Sequence, residues 1–119
     1  MSWKLTNAYQ QKREKSDAVR VAAALNKAKI ACCLEWMIPR YGEYTDSGAL
    51  KSYSLDILLI DPRYQNVGIE MEGDGSGSKD NPERDDYIKR LGITLLHFKN
   101  GTPSQSIIDL LNADFRRKD

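Results

Sequence analysis

The chain has 119 residues and a mass of 13.5 kDa, which leaves room for one modest hydrophobic core and excludes a second independent domain. Hydrophobic residues make up 40% of it and charged residues 29%, a composition typical of a globular protein and not of a disordered or fibrous one. No apolar run approaches the ~20 residues that span a bilayer, and no hydrophobic signal stretch follows the N-terminus. The sequence therefore predicts an intracellular, cytoplasmic protein without a membrane partner.

The net charge of +1 is unevenly distributed along the chain. Residues 1–40 carry eight Lys/Arg and three Asp/Glu, a balance of +5, whereas residues 41–92 carry six against eleven, a balance of −5. Residues 93–119 have a balance of +1. A basic margin around an acidic centre is what a metal-dependent enzyme acting on a polyanion needs, although chance clustering on solvated surfaces explains the pattern equally well.

The first predicted element is an amphipathic helix from about Ser16 to Lys29, whose apolar residues recur at three- and four-residue spacing: Ala18, Val21, Ala22, Leu25 and Ala28. The apolar run 30–38 predicts a strand that ends at Pro39, and residues 40–51 predict a loop or hairpin tip. The adjacent Cys32 and Cys33 would point to opposite faces of that strand. This favours structural thiols over a disulfide or a metal-ligand pair.

Two further strands are predicted on either side of a turn at residues 61–66. Ser52–Asp61 is an apolar strand interrupted by one carboxylate, Asp56. Residues 67–73 alternate between an apolar and an acidic face, the period of a half-buried strand, with Val67, Ile69 and Met71 against Gly68, Glu70 and Glu72.

The last third of the chain predicts a loop, a helix, a strand and a helix. Residues 74–78 are rich in Gly and Ser and predict a flexible loop, and Asn81 with Pro82 predicts the start of a helix that reaches Leu91. Residues 93–98 predict a strand, and a terminal helix runs from Pro103 to about Phe115. The predicted order is α-β-β-β-α-β-α, an α/β fold.

Three acids are the candidate functional residues: Asp56, Glu70 and Glu72. The two glutamates are two apart on a strand and share a face, and a hairpin can bring Asp56 alongside them. Like charges so placed repel unless a cation lies between them, and Mg²⁺ or Mn²⁺ takes carboxylate, carbonyl and water ligands. Such an ion activates water for phosphodiester cleavage. The alternative is that all three acids are solvated, with the glutamates on an edge strand.

The chain carries, in order, a set of segments around these acids: Leu55-Asp56-Ile57, Ile69-Glu70-Met71-Glu72-Gly73, Arg84 with Ile88 and Gly92, and Leu95-Leu96-His97-Phe98. Over about residues 16–100 this arrangement resembles the PD-(D/E)xK nuclease superfamily, and within it small endonucleases of the very-short-patch-repair type. The resemblance implies a restriction-endonuclease-like core, α-β-β-β-α-β with a mixed central sheet, followed here by a C-terminal helix. It also implies a Mg²⁺-dependent DNA endonuclease in which Mn²⁺ substitutes for Mg²⁺.

The resemblance also implies roles for individual residues. Asp56 matches the first metal-binding aspartate and Glu70 the second acidic ligand, with the Met71 carbonyl nearby. Glu72 stands where the superfamily more often has lysine, and would bind metal or orient water. Asp17 matches an acidic position of the first helix that faces the site, although a charge at a helix N-terminus also interacts well with the helix dipole.

DNA binding would depend on basic and polar side chains around the acids. The candidates are Lys12, Arg13, Arg40, Lys51, Lys79, Arg84 and His97. For Arg84 the alternatives are bracing the carboxylates or a salt bridge with Asp85 or Asp80, and for His97 they are packing or a satisfied hydrogen bond. The terminal residues 116–118 favour a solvated tail.

A core of this size leaves little surface for reading a long site. The expectation is therefore a homodimer, recognition of DNA structure, or a separate targeting protein. Two rival functions stay open: a non-catalytic nucleic-acid-binding or assembly module on a nuclease-like fold, and a small α/β protein-interaction domain.

Overall fold

The computed structural model describes residues 16–72 and 82–118, which form three helices and four strands in the predicted order α-β-β-β-α-β-α. The elements are α1 (Ser16–Lys27), β1 (Cys32–Tyr44), β2 (Leu50–Leu59), β3 (Val67–Glu72), α2 (Pro82–Arg90), β4 (Thr94–Lys99) and α3 (Ser104–Asp114). The predicted α/β class is confirmed, and the predicted loop at 74–78 lies outside the described residues. None of the described helices has the length and apolar character needed to cross a membrane.

The four strands form one mixed sheet in the order β1-β2-β3-β4. The first two pairs are antiparallel, whereas β3 and β4 are parallel, in register from Val67↔Thr94 to Glu72↔Lys99. A parallel pair needs a crossover connection, and α2 lies within it. Because β3 has a partner on each side, the alternative that places Glu70 and Glu72 on an edge strand is wrong.

Two clusters of buried side chains hold the helices on the sheet. The larger joins α1 and α3 to the sheet, and the smaller joins α2 to it through Ile38, Leu55, Ile88 and Leu95. On β3, Val67 and Ile69 belong to the larger cluster, whereas Gly68 lies against Leu55 of the smaller. Since successive residues of a strand point to opposite faces, the two clusters lie on opposite sides of β3.

The close packing at Gly68 predicts that this position tolerates no side chain. A Cβ there would lie 2.7 Å from Leu55 Cδ2 and 3.3 Å from Ile93 Cγ2, and Leu55 is fully buried and cannot swing into solvent. We expect Gly68→Ala to lower the free energy of unfolding by about 1–3 kcal/mol, the usual cost of overpacking a core. Urea denaturation measures this, and a change below ~0.5 kcal/mol would contradict the packing described.

The strand β1 continues through Pro39 to Tyr44, so the predictions that Pro39 ends the strand and that residues 40–51 form a loop are wrong. Pro39 pairs with Ser52, and the register shifts between Pro39 and Tyr44. The physical reason is the position of β1 at the edge of the sheet, where a strand has only one neighbour and the missing N–H of proline is tolerated. The hairpin tip is limited to residues 45–49.

The adjacent cysteines of β1 are both free thiols. Cys32 packs against the larger cluster, and its Sγ lies 3.8 Å from Asn26 Oδ1. Burial raises the pKa of the Cys32 thiol, and the neighbouring Cys33 raises it further. This thiol therefore stays protonated. These contacts fit the predicted structural role.

The buried Asp61 ties the β2–β3 turn to the connection between α1 and β1. Its Oδ2 accepts a hydrogen bond from Ala31 N at 3.2 Å, and its Oδ1 accepts one from Arg63 N at 3.0 Å. Arg63 Nη2 lies 2.7 Å from Asp61 Oδ2 and also donates to Lys29 O at 2.6 Å. The hydrogen bonds and charge of Arg63 hold the pKa of Asp61 well below its usual range.

The end of the chain packs on this same turn, so the prediction that residues 116–118 form a solvated tail is wrong for two of the three. Arg117 N donates to Arg63 O at 2.8 Å, and Arg117 Nε donates to Tyr64 O at 2.8 Å. The Arg116 guanidinium lies 5.5 Å from the centre of the Tyr64 ring. The backbone acceptors that hold Arg117 lie at least 53 positions away in the sequence, and no local sequence pattern indicates such contacts.

Candidate active site

Asp56 and Glu70 lie side by side where the β2–β3 ladder ends. Ile57 pairs with Ile69, so the next position along the antiparallel ladder brings Asp56 opposite Glu70. At this point each side chain bonds the backbone of the opposite strand. Glu70 Oε2 accepts from Asp56 N at 2.6 Å, and Asp56 Oδ2 accepts from Met71 N at 2.9 Å. Reciprocal hydrogen bonds therefore hold the two carboxylates next to each other.

Glu70 is a buried carboxylate, with 7% of its surface exposed. Burial raises its pKa above the ordinary value, and the neighbouring charge of Asp56 raises it further. The hydrogen bond from Asp56 N–H and the guanidinium of Arg84, whose Nη1 lies 2.9 Å from Glu70 Oε1, act in the opposite direction without cancelling the rise. The ionised form is thus held at a cost, which an added cation next to the pair would reduce.

A chain of polar contacts leads from Glu70 through α2 and β4 back to β3. Arg84 Nη2 lies 3.3 Å from Asp85 Oδ1, and Asp85 Oδ2 lies 3.1 Å from His97 Nε2. His97 Nδ1 in turn lies 2.6 Å from Glu72 Oε1. We call Glu70, Arg84, Asp85, His97 and Glu72 the ionic ring. The exposed fraction of the side chain rises from 10% at Glu70 to 36% at Glu72, so the ring opens to solvent at its Glu72 end.

The side chain of Asp17, in the first turn of α1, contacts the turn between β4 and α3. Its Oδ2 accepts a hydrogen bond from Gly101 N at 2.5 Å, and its Oδ1 lies 3.5 Å from Arg20 Nε. This turn adjoins the end of β3, because Asn100 N donates to Glu72 O at 2.7 Å. Asp17 therefore reaches the edge of the site, where it supports the turn.

The candidate nucleic-acid contacts fall in two places. Arg84 and His97 belong to the ionic ring, whereas Arg40 and Lys51 belong to the β1–β2 hairpin. The Arg40 guanidinium lies 4.4 Å from the centre of the Tyr53 ring. Arg40 Nη2 also forms an ion pair with Glu43 Oε1 on the same strand. The remaining candidates, Lys12, Arg13 and Lys79, lie outside the described residues.

The acid pair is the part of the site whose chemistry fits a divalent cation. In the part of the chain that the structure describes, no group of three or more His, Cys, Asp or Glu side chains is arranged to hold a metal ion. Mg²⁺ needs fewer protein ligands, because it usually binds through one or two carboxylates and completes its shell with water. Asp56 and Glu70 supply two adjacent carboxylates, and one of them is buried beside the other's charge. Glu72 bonds His97 instead.

Asp85 belongs to the ring, although the sequence analysis considered it only as a salt-bridge partner of Arg84. The helical period does indicate that Asp85 faces the sheet. Asp85 precedes Ile88, the buried residue of α2, by three positions, so both lie on the face that packs on the sheet. The contact with His97 joins elements far apart in sequence and has no local signal.

Comparison of the chain with protein-family models, curated proteins and solved structures gives no match in any of the three. The fold and site therefore define a class in structural terms. The protein is a mixed α/β domain with a fixed pair of carboxylates on two inner strands, joined to an ionic ring that α2 and β4 complete.

Proposed function

We propose that this protein is a metal-dependent DNA endonuclease that hydrolyses phosphodiester bonds with a metal-activated water. The observation that carries the proposal is the Asp56–Glu70 pair. The two carboxylates are held next to each other on inner strands by hydrogen bonds to the backbone of the opposite strand. Burial raises the pKa of Glu70, and the charge of Asp56 raises it further. A divalent cation bound at the two carboxylates would offset the repulsion between like charges that lie opposite each other in a sheet.

The architecture supports the same proposal. The described elements follow the order α-β-β-β-α-β with a further C-terminal helix, and the central sheet is mixed. This order and the mixed sheet agree with the restriction-endonuclease-like core that the resemblance to the PD-(D/E)xK superfamily implies. In that core the acids of the second and third strands form the metal site, and here those strands carry Asp56 and Glu70.

The residues then take the following roles. Asp56 and Glu70 hold Mg²⁺ or Mn²⁺ together with the Met71 carbonyl, and Arg84 keeps Glu70 in place. A divalent ion at such a site polarises the phosphate and lowers the pKa of an attacking water. Glu72 is the most exposed member of the ring and orients water, and His97, whose two ring nitrogens face Glu72 and Asp85, holds Glu72 in place.

DNA reaches the acids through the basic margins of the chain, which supply the salt-dependent part of the affinity. On the described surface, Lys51 is exposed on β2 at the hairpin end of the sheet. A homodimer or a separate targeting protein completes recognition, because one domain of this size covers few base pairs.

A second candidate is a non-catalytic nucleic-acid-binding module. The contacts within the ionic ring favour it, because the Arg84 guanidinium already bonds Glu70 and the His97 imidazole already bonds Glu72. This candidate predicts DNA binding that is independent of metal, and no cleavage.

The test is cleavage of supercoiled plasmid and of branched and single-stranded oligonucleotides with Mg²⁺, Mn²⁺ or EDTA, comparing wild type with Glu70→Gln. We expect metal-dependent cutting that falls at least about 100-fold in the variant, since a metal contributes several kcal/mol to such a transition state. The matched control is Glu83→Gln, which removes the same charge from an exposed position of α2.

A thermal melt shows whether loss of cutting is loss of the fold. Because Glu70 has a raised pKa, its stabilising neutral form is lost as the pH rises past that pKa. Glu70→Gln removes this ionisation but also the charge that Arg84 pairs with, so cleavage by the variant is compared with wild type at a temperature where the melt shows both to be folded. Metal-independent binding without cutting by the wild type would favour the module instead.

A further inference from the structure

We propose that Asp85 is a positioning residue that holds Arg84 and His97 together and, through them, sets the places of Glu70 and Glu72. The mechanistic part of this inference rests on the proposed nuclease function. Asp85 uses both carboxylate oxygens, with Oδ1 toward Arg84 Nη2 and Oδ2 toward His97 Nε2. Among the residues that the structure describes, it therefore joins the two glutamate contacts of the ionic ring.

The geometry makes this link a constraint on both glutamates. Glu70 and Glu72 point to the same side of β3, because they are two residues apart. Arg84 reaches the first from α2, and His97 reaches the second from β4. Without Asp85 the guanidinium and the imidazole would each hold one glutamate, with no contact between the two arms.

The His97 ring needs such a partner to have a defined orientation. Carboxylates only accept hydrogen bonds, so a ring nitrogen bonds a carboxylate only when it carries a proton, and two carboxylate partners fix the plane of the ring. Here Asp85 faces Nε2 and Glu72 faces Nδ1. Asp85 is the less exposed of the two carboxylates, with 24% of its side chain accessible against 36% for Glu72, and its other oxygen contacts Arg84.

A purely structural role for Asp85 has a different signature. Asp85 lies in the first turn of α2, where any acid stabilises the helix through its dipole. Glu83 occupies the same turn and is exposed, so Glu83→Gln removes an equivalent dipole interaction without touching the ionic ring. Effects shared by Asp85→Asn and Glu83→Gln report the helix, and effects confined to Asp85→Asn report the ring.

His97 is the only histidine of the chain, so its ring nitrogens give one unambiguous pair of signals in a long-range ¹H–¹⁵N spectrum. We expect Asp85→Asn to shift the Nε2 signal, and Glu83→Gln to leave it in place. In the cleavage assay with Mg²⁺, we expect kcat of Asp85→Asn to fall about 10–100-fold, the usual effect of removing a supporting partner of a metal site, with KM for DNA unchanged. Glu83→Gln keeps wild-type kcat.

The two readouts separate the inference from the function. An unchanged His97 signal in Asp85→Asn, or the same shift in Glu83→Gln, overturns the inference whether or not the protein cuts DNA. A shifted signal in a protein whose wild type cuts nothing supports the link through Asp85 and removes the nuclease proposal. If Asp85→Asn does not fold, Asp85→Glu keeps the charge with one more methylene, and the inference expects a displaced Nε2 signal there too.

Discussion

Asp56→Asn is expected to abolish both metal-dependent cleavage and the stabilisation of the fold by metal. The asparagine oxygen still accepts the hydrogen bond from Met71 N, so the strand contact survives while one of the two anionic ligands disappears. We expect cleavage with Mg²⁺ to fall at least about 100-fold. At a metal concentration of 100 times its dissociation constant, wild type gains about 2.7 kcal/mol, and the variant loses most of this gain.

Thermal melts with Mn²⁺ and with EDTA measure the second effect without any nuclease assay. Asp109→Asn is the matched control, because Asp109 is exposed on α3 and accepts a hydrogen bond from Gln105 Nε2 on the same helix at 2.9 Å. We expect this control to keep both the cleavage and the metal-induced shift. Full metal-dependent cleavage by Asp56→Asn would remove Asp56 from the site.

Asp61→Ala is expected to cause the largest loss of stability of any charge substitution in the described chain. The variant leaves Ala31 N and Arg63 N without their acceptor and frees the Arg63 guanidinium from the turn. These hydrogen bonds are part-buried, so donors left without a partner lower the stability, and the Arg63 contact with Lys29 O depends on the same arrangement. We expect the melting temperature at neutral pH to fall by several degrees, as measured by circular dichroism.

The effect of Asp61→Ala depends on pH in a defined direction. The folded-state pKa of Asp61 lies below its unfolded value of about 3.9, so its contribution is fully present above that value. It is lost as the pH falls toward the folded-state pKa, where the carboxylate becomes protonated. The difference between wild type and Asp61→Ala should therefore be constant from about pH 5 to 7 and narrow below about pH 4. Asp46→Ala, at the exposed hairpin tip, serves as the control, and a gap that does not narrow in acid would contradict the ion pair.

The alternation of apolar and acidic residues on β3 shows which features of the site can be predicted from a local sequence pattern. Val67 and Ile69 lie in the larger cluster and Glu70 lies opposite them, as the period of two predicts. The burial of Glu70 was not predictable, because an acidic strand face is usually exposed to solvent and the sequence does not show that a second layer covers this one. The covering layer is α2, which comes to the sheet through a crossover connection.

Pro39 and Arg84 show two different limits of the sequence. A proline is tolerated in an edge strand, where its position needs no N–H for a neighbouring strand, and whether β1 is an edge strand depends on the order of the whole sheet. Arg84 had two local interpretations, bracing the carboxylates and pairing with Asp85. The structure contains both at once, because its guanidinium presents separate nitrogens to Glu70 and to Asp85.

The sequence by itself determined the order of the elements, the apolar faces of α1 and β3, and the acids that a strand or helix period places together. These features depend on neighbours within a few residues, and periodicity records them. Only the tertiary structure decided which strand is inner, that Asp56 meets Glu70 at the end of a ladder, and that Asp85 joins Arg84 to His97. Such contacts form between elements distant in the chain, where side-chain direction and strand register decide each distance and no local pattern specifies them.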